Sequence, residues 1–153
     1  MRIAVSSDMD EPVARVLVYE LRRRGHEVSA YGALRSEDRE GAGRPDWAWS
    51  AAAAAREVAE GRADQAVVCC WTGTGASIAA NKVPGVRAAL CTDAYTANGA
   101  RQWNDANVLA VGLRLTSEPL LKEILDAWFA GQPSADKADL ANIDHVREID
   151  GAA

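Results

Sequence analysis

The chain has 153 residues, 48% of them hydrophobic and 25% charged, with a formal net charge of -5 and a pI near 5.0. That balance argues against nucleic acid as a partner, because phosphate-backbone binding needs a basic surface, and no apolar run approaches the roughly 20 residues of a membrane span. Three cysteines and two distant histidines, His26 and His145, form neither a disulfide framework nor a zinc spacing, so reduced thiols and no metal or cofactor are expected.

The opening MRIAVSSD predicts a first strand over Arg2–Ser6. It lacks the long apolar stretch and small-residue cleavage site of a secretory signal, which predicts a cytoplasmic protein. A helix follows from about Glu11 to Arg24, with Pro12 in its first turn, Asp10 as the expected cap, and Val13, Val16, Leu17 and Leu21 on one apolar face. The run Arg22-Arg23-Arg24 then complements the helix dipole, with Gly25 as the stop. A second strand is expected over Glu27–Tyr31, and the polar, glycine-rich stretch from Gly32 to Pro45 reads as a mobile surface loop bordering a site. Asp46 caps an alanine-rich helix from Trp47 to Glu60, which Gly61 ends.

The most informative segment is Ala66 to Lys82, AVVCCWTGTGASIAANK, where a strand over Gln65–Cys70 enters a glycine-rich turn that opens into a helix. Cys70 is placed at the strand's carboxyl end, and Gly73 and Gly75 let backbone amides face a ligand. A helix N-terminus lowers a thiol's pKa, so Cys70 is the candidate base, while Cys69 and Cys91 read as buried structural thiols. Strands over Arg87–Cys91 and Val108–Gly112 complete the set, and Ser117 caps a helix to about Ala130. After Pro133 a polar tail, Ala135 to Ile149, has a weak helical period. Residues 1–132 read as a parallel α/β domain and 133–153 as a tail helix that packs on a neighbouring subunit. With strand order 2-1-3-4-5 the winding reverses between strands one and three, which brings Asp8 and Cys70 to one switch point, whereas order 3-2-1-4-5 separates them.

MRIAVSSD, the pattern C-x-T-G-x-G-x-S-I-A-A-N-K-x-x-G-x-R from Cys70 to Arg87, ARQWNDANVLAVGLR and DAWF together resemble the sugar-phosphate isomerase family of type B ribose-5-phosphate isomerase and the galactose-6-phosphate isomerase subunits. The resemblance implies a single-domain, three-layer, flavodoxin-like sandwich around a five-stranded parallel sheet. It also implies a homodimer or dimer of dimers, and interconversion of aldose and ketose phosphates through an enediolate without metal. It assigns Cys70 as the base, Thr72 as a partner or proton relay for the thiol, and Asp8 to substrate hydroxyls. The loop Gly73, Thr74, Gly75, Ala76 and Ser77 becomes an oxyanion cradle, and Asn104 a substrate contact.

Departures from the family pattern are equally specific. Met9 and Trp103 stand where the family has histidines, and an indole, a donor only, cannot replace a ring-opening imidazole. Lys137 and Ala141 occupy the places of two phosphate-gripping arginines, which leaves Arg101, Arg114 and Lys137 for an anion. An already open-chain substrate, such as a tetrose phosphate, avoids the ring-opening step. Trp71 inside the loop, together with Trp47 and Trp49, is expected to make the cleft apolar. The competing readings are an unphosphorylated polyhydroxy substrate, a silent or site-sharing subunit of a heteromeric isomerase, and a nucleotide- or flavin-binding module. The last is weakened by the missing lysine of an NTPase phosphate loop.

Overall fold

The computed structural model describes residues 1–35 and 44–151. It alternates strands and helices as the pattern predicts: β1 Arg2–Ser7, α1 Pro12–Arg23, β2 Glu27–Gly32, α2 Trp47–Ala59, β3 Gln65–Cys70, α3 Thr74–Ala80, β4 Ala88–Leu90, α4 Ala94–Asn104, β5 Val108–Gly112, α5 Glu118–Ala130 and α6 Lys137–Ile149. The centre of the expected surface loop, residues 36–43, lies outside the described residues.

All pairings are parallel, in the order β2-β1-β3-β5-β4. The predicted reversal of winding between β1 and β3 is present, but the last two strands are exchanged relative to the expected 2-1-3-4-5. The reason is β4 itself. It has only three residues, and its Leu90 is exposed, so it suits a sheet edge, while the buried β5 takes the interior place beside β3.

Side-chain alternation divides the core in two. Ile3, Val5, Val67, Cys69, Leu109 and Val111 face α1, α4 and α5. Ala4, Ala66, Val68, Cys70, Val108 and Ala110 face α2 and α3, where the alanines Ala51, Ala54 and Ala55 allow close approach. Adjacent Cys69 and Cys70 therefore lie on opposite faces of one strand. On the first face Trp128 of the DAWF motif is fully buried and donates from Nε1 to Gln65 Oε1 at 2.8 Å.

The basic run closes α1 as expected, with Arg22 and Arg23 in the last turn, and it also makes ion pairs that the sequence did not show. Arg23 and Arg24 pair with the buried Glu20, Arg24 also reaches Asp126 on α5, and Gly25 follows at φ +82°. Helix α1 is capped differently from expectation, because Glu11 holds the cap position without a side-chain bond and Asp10 instead pairs with Arg15. Helix α6 docks on its own chain through the buried Ile143 and through Asp150, which accepts from the Gly85 amide. It leaves Leu140, Val146 and Ile149 exposed. No helix among the described residues is long and apolar enough to cross a membrane.

Candidate active site

At the carboxyl end of the sheet, Cys70 at the end of β3 and the residues that follow β1 and β3 meet in one cleft of about 320 Å³, lined by Asp8, Met9, Trp47, Cys70, Trp71, Thr72, Thr74 and Gly75. Reversed winding at this point leaves the crevice open above the two strands. Cys70 is buried at 6% exposure, with its side chain on the α2–α3 face. Neither histidine lines the cleft. His26 stacks on Phe129 with ring centroids 4.6 Å apart, and His145 lies exposed on α6.

Three glycines shape the loop. Gly73 caps α3 in the left-handed region at φ +78°, and a Cβ there would meet Leu90 Cδ1 at 2.6 Å and the Val111 carbonyl carbon at 2.8 Å. Gly112 lets the Thr72 carbonyl approach, since a Cβ would stand 2.7 Å from that oxygen. Gly75 carries the Trp47 ring directly on its Cα. The first internal hydrogen bond of α3 runs from the Ser77 amide to the Gly73 carbonyl at 3.0 Å. The expected cradle is thereby shortened at one end only, because the Ser77 amide is spent while those of residues 73–76 precede the ladder. The Ala76 side chain is fully buried, so only its amide can serve a ligand.

Asp8 is not a helix cap. Its Oδ1 is buried and has no hydrogen-bond partner among the described residues. Burial pushes its carboxyl above the usual range, opposed by its own backbone amide and reinforced by the Asp46 carboxylate. A buried acceptor without a donor costs free energy until a ligand supplies one, and sugar hydroxyls are such donors. The scaffold for Asp8 is Ser7, a fully buried residue that sequence reasoning passed over. Its hydroxyl donates to the Met9 carbonyl at 2.7 Å and receives the Met9 amide at 3.2 Å.

Other expected roles change on contact with the geometry. The Thr72 hydroxyl lies 2.7 Å from Thr74 Oγ1, so it is engaged across the loop mouth, and no described residue bonds the Cys70 thiol. Arg101 is not an anion ligand. Its guanidinium is 11% exposed, bonds Asp105 and the Ala106 carbonyl, and lies 5.5 Å from the Trp128 ring centre. Burial pushes its pKa down. Trp49 turns away from the cleft and sits between Arg44 and Arg56, whose guanidinium carbons lie 5.0 and 5.8 Å from its ring.

Cys69 and Cys91 are buried thiols, as expected. Desolvation raises the pKa of both, that of Cys91 to about 11, with the Thr96 hydroxyl partly offsetting it.

Trp103 and Asn104 are not brought to Cys70 within the chain. They line two neighbouring grooves at the β4 edge, one against Asn142, Ile143 and Val146 of α6, the other against Leu90, Cys91 and Tyr95. Lys137 is exposed at the first residue of α6. Arg114 is nearer the loop, because its amide donates to the Trp71 carbonyl at 3.0 Å, and no described residue pairs with its exposed guanidinium. Several motif residues are structural. Asn81 bonds both the amide and the carbonyl of Ala88, and Asn107 joins Arg87 to Gly85.

Comparison with known proteins adds relatives. A family profile described as Ribose/Galactose Isomerase matches residues 3–146. Ribose-5-phosphate isomerase B of Escherichia coli is 43% identical over 116 residues, 76% of this chain and 74% of that one. D-erythrulose-4-phosphate isomerase of Pectobacterium atrosepticum is 42% identical over 99 residues, covering 62% of this chain and 63% of that one. Among solved structures, Clostridium thermocellum ribose-5-phosphate isomerase B superposes with a TM-score of 0.87 at 34% identity, over 99% of both chains.

Proposed function

The chain belongs to the ribose/galactose isomerase family and is an aldose–ketose isomerase of the ribose-5-phosphate isomerase B kind, and we propose that it acts on a short, open-chain sugar phosphate with Cys70 as its base. The observation that carries this reading is the convergence of Cys70 and Asp8, whose buried Oδ1 has no partner among the described residues, in one cleft that no imidazole lines. The Cys70 thiolate takes the proton from C2 of the aldose, and the electron pair moves through the new C1–C2 double bond onto the carbonyl oxygen. Returning the proton to C1 gives the ketose. Asp8 carries the hydroxyl proton between the two oxygens, while the amides of residues 73–76 stabilise the enediolate. Thr72 and Thr74 hold the loop mouth, and Arg114 takes the phosphate as a planar fork.

Met9, Trp47 and Trp71 supply apolar walls where ring opening would need an acid–base pair. A tetrose phosphate, which cannot form a phosphate-bearing furanose, avoids that need. The known relative that acts on erythrulose 4-phosphate supports this choice.

Asn104, Trp103 and Lys137 lie outside the Cys70 cleft, so the complete site is assembled between two copies of the chain in a homodimer, or a dimer of dimers, with these residues given by the second copy. Three buried, unpaired cysteines fit a reducing, cytoplasmic setting.

A panel of four-, five- and six-carbon sugar phosphates, assayed for uptake of solvent deuterium beside the carbonyl, tests the reading. Exchange is expected to be fastest with the four-carbon ketose and to vanish in Cys70→Ala. Full activity in Cys70→Ala would overturn the mechanism, and no exchange with any sugar would favour a silent subunit.

A further inference from the structure

Trp47 is the first residue of α2, held there by the Asp46 cap, whose Oδ1 accepts the Trp49 amide at 3.0 Å. Its indole lies flat on Gly75, where an added Cβ would stand 2.9 Å from Cε3, 3.1 Å from Cδ2 and 3.2 Å from Cζ3. Only glycine at 75 lets the ring sit there. The same ring is 45% exposed and lines the cleft that holds Cys70 and Asp8, so it is a wall rather than a core side chain. Arg114, the cation assigned to the phosphate, has its backbone on the other flank, where it follows β5 and its amide donates to the Trp71 carbonyl. A substrate with its phosphate toward Arg114 and its reacting carbons over Cys70 therefore directs its carbonyl end at Trp47. An indole presents that end with an apolar surface, a single donor and no acceptor, a poor match for further hydroxylated carbons.

We infer that Trp47, seated on Gly75, is a specificity-determining residue that closes the cleft beyond the reacting carbons and restricts the enzyme to carbonyls at or next to the end of the carbon chain. The inference rests on the isomerase reading above, but its test does not need turnover. Two non-reacting probes, 4-phosphoerythronamide and its N-propyl amide, share phosphate, hydroxyls and carbonyl, and differ only in bulk beyond the carbonyl. Calorimetric titration of the wild type should favour the smaller probe by about tenfold or more, the discrimination expected for added methylenes against a packed wall. Trp47→Ala should bring the two affinities to within about threefold of each other, and Trp47→Phe, which keeps a ring on Gly75, should retain part of the preference. Circular dichroism of both variants controls for folding. Equal binding of the two probes by the wild type, an unchanged ratio in Trp47→Ala, or no binding of either would overturn the inference. Discrimination that is present while no sugar phosphate undergoes exchange would overturn the functional reading alone.

Discussion

The Ser7 hydroxyl and the Met9 backbone close a two-way clasp around Asp8, with the hydroxyl donating to the Met9 carbonyl at 2.7 Å and accepting the Met9 amide at 3.2 Å. Ser7 is fully buried, so its removal leaves an amide and a carbonyl without their partner. Ser7→Ala is expected to lower stability by about 1–2 kcal/mol. It should also cut kcat/KM by about tenfold or more through misplacement of Asp8. Chemical denaturation and steady-state kinetics on the same preparation check both. An unchanged rate would show that the clasp does not position Asp8.

Asp8 itself should act against stability at neutral pH. Its folded pKa is raised above the ordinary 3.8, with desolvation the leading cause, so the fold prefers the protonated acid. Stability from this group is therefore full below about 3.8 and is lost as pH rises through the folded value. Asp8→Asn should have a higher Tm than the wild type at pH 7, with the gap closing as pH falls toward 3.5, while catalysis is lost. Comparing variant with wild type at each pH cancels the opposite trend from Asp10, Asp64, Glu20 and Asp93, whose pKa values are lowered by hydrogen bonds. A Tm gap independent of pH would contradict the assignment.

Two glycines separate conformational strain from collision. Gly25 and Gly73 both adopt positive φ, +82° and +78°, but nothing lies within 4 Å of a Cβ at Gly25, whereas one at Gly73 meets Leu90 and the β5 backbone. Gly25→Ala should cost only the left-handed penalty, about 1–2 kcal/mol, and leave activity intact. Gly73→Ala must also displace the glycine loop beside Cys70, so it should cost more and, on the proposed mechanism, abolish exchange chemistry. Thermal melts and deuterium exchange of the two variants distinguish these outcomes.

The parts legible in the sequence were those that local chemistry decides. Short apolar runs placed every strand, and the Asp46 and Ser117 caps and the Gly25 and Gly61 stops formed where side-chain chemistry and φ freedom require them. The meeting of Asp8 with Cys70 followed from topology. What tertiary pairing decides was hidden. Spacing does not show that a three-residue β4 yields the interior position to β5, nor that Arg15 draws Asp10 away from the α1 cap. Arg101 looks the same in sequence whether it is free or buried against Trp128. Thr72 was expected to serve the Cys70 thiol, and its hydroxyl pairs instead with that of Thr74.

The separation of Cys70 from Asn104 yields the sharpest test of assembly. If each site takes Cys70 from one copy and Asn104 from another, Cys70→Ala and Asn104→Ala homodimers are each inactive, while a mixed dimer keeps one intact site built from its two unmutated residues. Equal mixing with subunit exchange gives half mixed dimers with one working site of two, so activity should recover to about a quarter of the wild-type value. Recovery should follow the rate of subunit exchange and stop when the dimers are cross-linked before mixing. A site contained within one chain would give no recovery, because every copy in the mixture would still carry one lesion in its own site. Size-exclusion profiles of the wild type, the variants and the mixture before and after exchange test whether each is a dimer, which makes the activity measurement a statement about site composition rather than folding.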